Sequence, residues 1–139
     1  MIVATPDRTS PLVLVVDDDA DVRELTATVL SCNGYEVIQA QHGHDAIERL
    51  SDHTPDLIVL DLNMPVMDGW QFRAEQQRLA NRRLAAIPVL LVTAADGAAD
   101  HAATLKAVGL IAKPFDPESL LVTIDAALRC ERDRGRIEH

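Results

Sequence analysis

Three aliphatic runs, Val13–Val16, Leu57–Leu60 and Val89–Val92, are apolar without a break. A strand with one face in water alternates apolar and polar residues, so an unbroken run marks a strand covered on both faces. Strands are predicted over Leu12–Val16, Tyr35–Ala40, Leu57–Leu60, Pro88–Val92 and Leu110–Ile111. Between them residues, nearly all apolar, recur at helical spacing. The series are Val22, Leu25, Val29 and Leu30; Ala46, Ile47 and Leu50; Trp70, Phe72, Gln76 and Leu79; an Ala-rich stretch from Ala98 to Ala107; and Leu120, Leu121, Ile124 and Leu128. Asp116-Pro117 reads as an N-cap followed by proline at the first helical position. Gly34 and Gly43 fall at element boundaries. Strands and helices in strict alternation call for a parallel sheet with helices on both faces, an α/β fold. Right-handed crossovers then bring every strand C-terminus to one edge, where ligands of open α/β sheets bind.

The chain is long enough, at 139 residues, for one domain with its own core, and no internal repeat or second domain is visible. With 47% hydrophobic but only 3% aromatic residues, that core must be aliphatic. Residues 1–11 read as a flexible lead-in, 12–130 as the domain and 131–139 as a charged C-terminal tail. The apolar runs fall far short of the ~20 residues a membrane helix needs. No signal-peptide pattern opens the chain. Cys32 and Cys130 have no metal-like spacing, so a reducing, cytoplasmic setting is expected. A net charge of −9, with no basic stripe beyond Arg82-Arg83 and a mixed-charge tail, argues against direct nucleic-acid binding. An acidic surface suits a cation or a partner with a basic patch.

The strand ends carry the chemistry. Asp17, Asp18 and Asp19 follow the first strand, and Asp61, with Asn63 two residues on, follows the third. Thr93 follows the fourth and Lys113 the fifth. Clustered carboxylates suit a small hard cation such as Mg²⁺, which takes oxygen ligands at about 2.0–2.1 Å and leaves room for water and phosphate oxygens. A carboxylate can also attack phosphorus. Such a transfer needs mainly positioning and charge neutralisation. The Lys113 ammonium and the Thr93 hydroxyl are suited to oxygens of an incoming phosphoryl group. Each residue has a plainer role open to it: an Asp after a strand commonly caps a helix or forms a turn, as Asp19 or Asp21 would. A lone Lys-Pro is usually surface loop, and a Thr can simply end its strand. The joint, ordered occurrence favours the chemical reading.

This set, carried by Leu14-Val15-Val16-Asp17-Asp18-Asp19, the stretch from Asp56 to Gly69, Val92-Thr93-Ala94 and Lys113-Pro114-Phe115, resembles the receiver domain of bacterial two-component response regulators. The resemblance spans about residues 11–130. It implies a flavodoxin-like (βα)5 three-layer sandwich with a parallel five-stranded sheet of order 2-1-3-4-5. It implies Asp61 as phosphoacceptor, Asp18 binding Mg²⁺ directly and Asp17 through water. Asn63 would add its backbone carbonyl, and Thr93 and Lys113 would touch the phosphoryl group. A cis Lys113-Pro114 bond is also implied. The partners implied are a histidine kinase or histidine phosphotransfer protein and an output protein. With no second domain in the sequence, output is expected through protein–protein contacts.

Two positions depart from the family pattern. Leu110 stands where an aromatic residue usually swings inward, and Lys106 where a glycine is common. Neither is needed for phosphorylation, but a signal on the face of the fourth helix, fifth strand and fifth helix is expected to be weaker or carried otherwise. The Ala-rich fourth segment is expected either to open easily or to be an ordinary helix. Trp70 is read as covering a helix–sheet junction or as lying near the acidic site. His42, His44, His53, His101 and His139 form no ligand pattern. Two other functional classes compete: a degenerate receiver used for binding or dimerisation, and a Mg²⁺-dependent aspartyl phosphohydrolase. The chain is otherwise not expected to be an enzyme, beyond self-catalysed phosphoryl transfer and autodephosphorylation.

Overall fold

The structure, a computed structural model, describes residues 10–62, 64, 67–94, 103 and 105–137, with side chains as far as Cys130. Residues 1–9 of the expected lead-in, Asn63, and most of the Ala-rich segment lie outside the described residues. Five strands, β1 (Leu12–Val16), β2 (Glu36–Ala40), β3 (Leu57–Asp61), β4 (Val89–Thr93) and β5 (Gly109–Ala112), form one parallel sheet of order β2-β1-β3-β4-β5. The described helices are α1 (Ala20–Ser31), α2 (Gly43–Leu50), α3 (Gly69–Gln77), a short α4 (Arg82–Ala85) and α5 (Pro117–Ile137). The flavodoxin-like fold and strand order are those expected. The turn of helix at α4 was not foreseen; Asn81 caps it by accepting from the Arg83 N–H. Backbone of residues 131–137 continues α5.

The unbroken apolar strands are explained by their two covered faces. Val13, Val15, Leu57, Val59, Leu90, Val92 and Ile111 pack with Leu30 of α1 and Leu120, Ile124, Ala127 and Leu128 of α5. Leu14, Val16, Ile58, Leu60 and Val89 point the other way, onto Ala46 and Leu50 of α2 and Phe72 of α3. A third group, Leu62, Leu91 and Leu105 with Ala107 and Leu110 against it, lies beside the β4–β5 edge.

Caps fix where the helices begin. The Asp19 carboxylate accepts from the Asp21 and Val22 N–H groups, and Asp68 and Gln71 form a reciprocal capping box at α3. Asp116 accepts from the Ser119 N–H in the first turn of α5. His42 caps α2, its Nδ1 accepting from the Asp45 N–H, which gives this histidine a structural task.

The inward faces of two helices correct the sequence expectation in part: Leu30, Phe72 and Gln76 are buried as expected, but other members of the two series are not. In α1 the buried residues are Thr26, Ala27 and Leu30, while Leu25 is 57% exposed. In α3 they are Gly69, Phe72, Arg73 and Gln76; Trp70 is 36% exposed, and Leu79 lies past the helix end. Each helix therefore turns a stripe inward that contains polar residues. Lys106 adopts φ +57°, the left-handed region that favours glycine, so the glycine habit of this position has a backbone cause.

Candidate functional site

The register brings the candidate residues to one edge. Val16 pairs with Ala40 and with Leu60, Asp61 with Val92, and Thr93 with Ala112. Asp61 and Thr93 are thus the last residues of their strands rather than the first beyond them, because the backbone ladder continues under a polar side chain. Lys113 follows β5 directly, its N–H donating to the Thr93 carbonyl at 3.1 Å.

Asp17 is held from several sides. Its N–H donates to the Ala40 carbonyl at 3.2 Å, extending the β1–β2 ladder. One carboxylate oxygen, Oδ1, accepts from the Asp19 N–H at 2.9 Å. The other, Oδ2, accepts from Lys113 Nζ at 2.9 Å. The same ammonium donates to Asp61 Oδ2 at 3.2 Å, so Lys113 bridges two carboxylates. Asp17, Asp61 and Thr93 are 4%, 5% and 1% exposed, while Asp18 faces solvent.

Burial pulls the Lys113 ammonium toward a lower pKa, but the hydrogen bond and charge of Asp17 and the charge and hydrogen bond of Asp61 more than offset it. The net direction is upward from the ordinary value, so Lys113 stays protonated. Lys113-Pro114 is cis, as the resemblance implied.

Oxygens of Asp17, Asp18 and Asp61 lie within 4.8 Å of one another. Opposite ligands of an octahedral Mg²⁺ stand ~4.2 Å apart, twice the ~2.1 Å bond. The spacing is of that order and the all-oxygen donor set suits one hard divalent cation, and three carboxylates against one ammonium leave a negative charge for it to neutralise. Asn63, the fourth ligand expected, lies outside the described residues.

Sequence reasoning passed over two arginines. Arg23 Nη1 donates to the Asp17 carbonyl at 2.8 Å and its Nε to Gln39 Oε1 at 3.1 Å. Arg73, 8% exposed, donates to the carbonyls of Leu105 and Ile87 and to Gln76 Oε1. Burial pulls its pKa below the ordinary value. Their shared signal was an arginine on an inward helical stripe.

The response regulator receiver domain model matches residues 13–125. The chain is 38% identical over 119 residues to response regulator MprA of Mycobacterium sp. strain KMS, covering 84% of this chain and 50% of that protein. It is 37% identical over 123 residues to transcriptional regulatory protein PrrA of Mycobacterium tuberculosis, covering 87% of this chain and 51% of that one. The chain thus spans about half the length of these curated relatives. Chemotaxis response regulator CheY4 of Vibrio cholerae superposes with a TM-score of 0.78 at 31% identity, over 86% of this chain and 99% of that one. No helix among the described residues is long and apolar enough to cross a membrane. With the sheet order and the strand-end cluster already in place, these matches carry one conclusion: the chain belongs to the response regulator receiver domain family.

Proposed function

We propose that this receiver accepts a phosphoryl group on Asp61 from a histidine kinase or histidine phosphotransfer protein, in a reducing cytoplasm, and signals through protein–protein contacts. The observation that carries the reading is the Lys113 ammonium bridging Asp17 and Asp61 beside the exposed Asp18. An Asp61 carboxylate oxygen forms a bond to phosphorus as the bond from phosphorus to the donor imidazole nitrogen breaks. The electron pair stays on that nitrogen. Lys113, already within hydrogen-bond distance of Asp61, donates to a phosphoryl oxygen, and Thr93 at the end of β4 is suited to donate to another. Asp17, Asp18 and Asp61, with the Asn63 carbonyl, would hold Mg²⁺. The bound ion supplies charge neutralisation at the phosphoryl oxygens. The added charge, about −1.5 to −2 near neutral pH, shifts a two-state equilibrium to the extent that the states hold it differently.

Incubation with Mg²⁺ and a small acyl phosphate, followed by intact mass, tests this. One added phosphoryl group, absent in Asp61→Asn, is expected; no gain with any donor or kinase overturns it. Turnover well beyond one equivalent would instead favour a phosphohydrolase. A second reading, a receiver used only for binding, is favoured by Leu110, an aliphatic residue packed half-buried against the Leu62, Leu91 and Leu105 cluster.

A further inference from the structure

Arg23 is costly where it stands. It lies in the first turns of α1, where the helix dipole disfavours a cation by ~0.3–1 kcal/mol. Ordering so long a side chain costs a further ~1.5–2 kcal/mol of rotamer entropy. It heads the inward stripe of Thr26, Ala27 and Leu30, whose other members carry no charge. Its guanidinium nevertheless spans two elements, donating to the Asp17 carbonyl at 2.8 Å and to Gln39 Oε1 on β2 at 3.1 Å.

The Asp17 carbonyl belongs to the peptide that joins Asp17 to Asp18. The N–H side of Asp17 is fixed by Ala40 and the carbonyl side by Arg23. Rotation of that peptide would swing both carboxylates relative to Asp61, whose own position is set by the β3–β4 ladder. We propose that Arg23, braced by Gln39, is a positioning residue that orients the Asp17-Asp18 pair toward Asp61 for cation binding. It touches neither the cation nor the reacting atoms. The proposal rests on reading the cluster as a Mg²⁺-assisted phosphoryl-acceptor site.

Charge and geometry make opposite predictions here. An Arg23 that acted only as a nearby cation would repel Mg²⁺, and its removal would tighten binding. An Arg23 that orients ligands would weaken binding when lost, by the ~10–100-fold typical of groups that hold metal ligands in place. Arg23→Lys keeps the charge but not the two-pronged fork.

The test is calorimetric Mg²⁺ titration of the whole chain, paired with backbone amide exchange at Asp17 and Asp18 without metal. Wild type, Arg23→Lys, Arg23→Ala, Gln39→Ala and the Arg23→Ala/Gln39→Ala double variant are compared. The expected result is a Mg²⁺ dissociation constant raised ~10-fold or more in Arg23→Ala and several-fold in Arg23→Lys, with faster amide exchange at both aspartates. Gln39→Ala moves the same way by less, and the double variant is no worse than Arg23→Ala. If Arg23→Ala does not fold, Arg23→Lys and Gln39→Ala carry the test. Unchanged or tighter binding in the folded variants overturns the role of Arg23 while leaving the acceptor reading intact. A wild type that binds no Mg²⁺ and gains no phosphoryl group overturns both.

Discussion

Arg73 on α3 donates through Nε to the backbone carbonyl of Leu105 at 3.1 Å, across 32 positions of sequence. Its Nη1 reaches Gln76 Oε1 at 2.7 Å and the Ile87 carbonyl at 3.4 Å. Gln76 in turn donates to the carbonyls of Leu84 and Ile87. The pair therefore satisfies carbonyls on both sides of β4, and among the described residues no carboxylate pairs with the guanidinium. Arg73→Ala would leave a cavity and unpaired acceptors, at a cost of roughly 2–4 kcal/mol. Arg73→Met should cost less, because it fills the space and removes the buried charge. Urea unfolding midpoints for the two variants check the order. Amide exchange should rise first in the segment around Leu105.

Lys106 offers a gain in stability. An L residue in the left-handed region costs about 1–2 kcal/mol, and Lys106 stands there at φ +57°. Lys106→Gly relieves that cost, and the greater freedom of glycine in the unfolded chain takes back part of it. The expected net gain is ~0.5–1 kcal/mol, or a melting temperature a few degrees higher for a chain of this size. Lys106→Ala keeps the strain and should show no such gain. Thermal melts of the three proteins decide.

What sequence could and could not foretell follows one physical division. Buried strands need apolar residues on both faces, so β1, β3 and β4 declared themselves, and so did the carboxylates at their ends. A helix needs only one covered stripe, and its spacing admits more than one. Val22, Leu25, Val29 and Leu30 made a plausible stripe on α1; Leu30 is buried and Val29 packs against the core, yet the helix also turns Thr26 and Ala27 inward and leaves Leu25 exposed. On α3 Phe72 and Gln76 face inward as their spacing suggested, but Arg73 and not Trp70 shares that face. Arg23 and Arg73 find their acceptors on other elements, and an arginine in a helical pattern reads as solvated until those acceptors are seen. The cis Lys113-Pro114 bond and the strand order came from family resemblance, since neither spacing nor composition encodes them.

Asp18 should trade stability for metal binding. It is exposed, near Asp17 and Asp61, and among the described residues it forms no ion pair. Without metal it adds repulsion to the cluster, so Asp18→Asn should stabilise the metal-free chain by about 0.5–1 kcal/mol, the usual scale for exposed charge pairs. With Mg²⁺ the order should reverse, because the wild type gains stability in proportion to the logarithm of metal over its dissociation constant and the variant gains less. Melting curves with and without Mg²⁺ that fail to cross would count against Asp18 as a ligand.

Gly69 supports Asp61 from behind. It is the first residue of α3, and its N–H donates to the Leu62 carbonyl at 2.9 Å. A Cβ placed on it would stand 2.8 Å from Leu62 Cα and 2.9 Å from the Asp61 carbonyl oxygen. Both are backbone atoms that a side-chain rotation cannot move away. Gly69→Ala must therefore push either α3 or the end of β3, at a cost of roughly 1–3 kcal/mol for such overpacking. Because the displaced atoms belong to Asp61 and its neighbour, the shift should reach the carboxylate that Lys113 bridges. Phosphorylation by a small acyl phosphate should slow several-fold at a temperature where the variant is fully folded. Gly34 offers the contrast. Its φ of +90° makes alanine strained there, but no atom lies within 4 Å of its Cβ position, and it precedes β2, at the sheet edge opposite the strand C-termini. Gly34→Ala should lower stability and leave the phosphorylation rate of the folded protein unchanged. Equal rate losses in both variants would show that general destabilisation, and not displacement of Asp61, governs the effect.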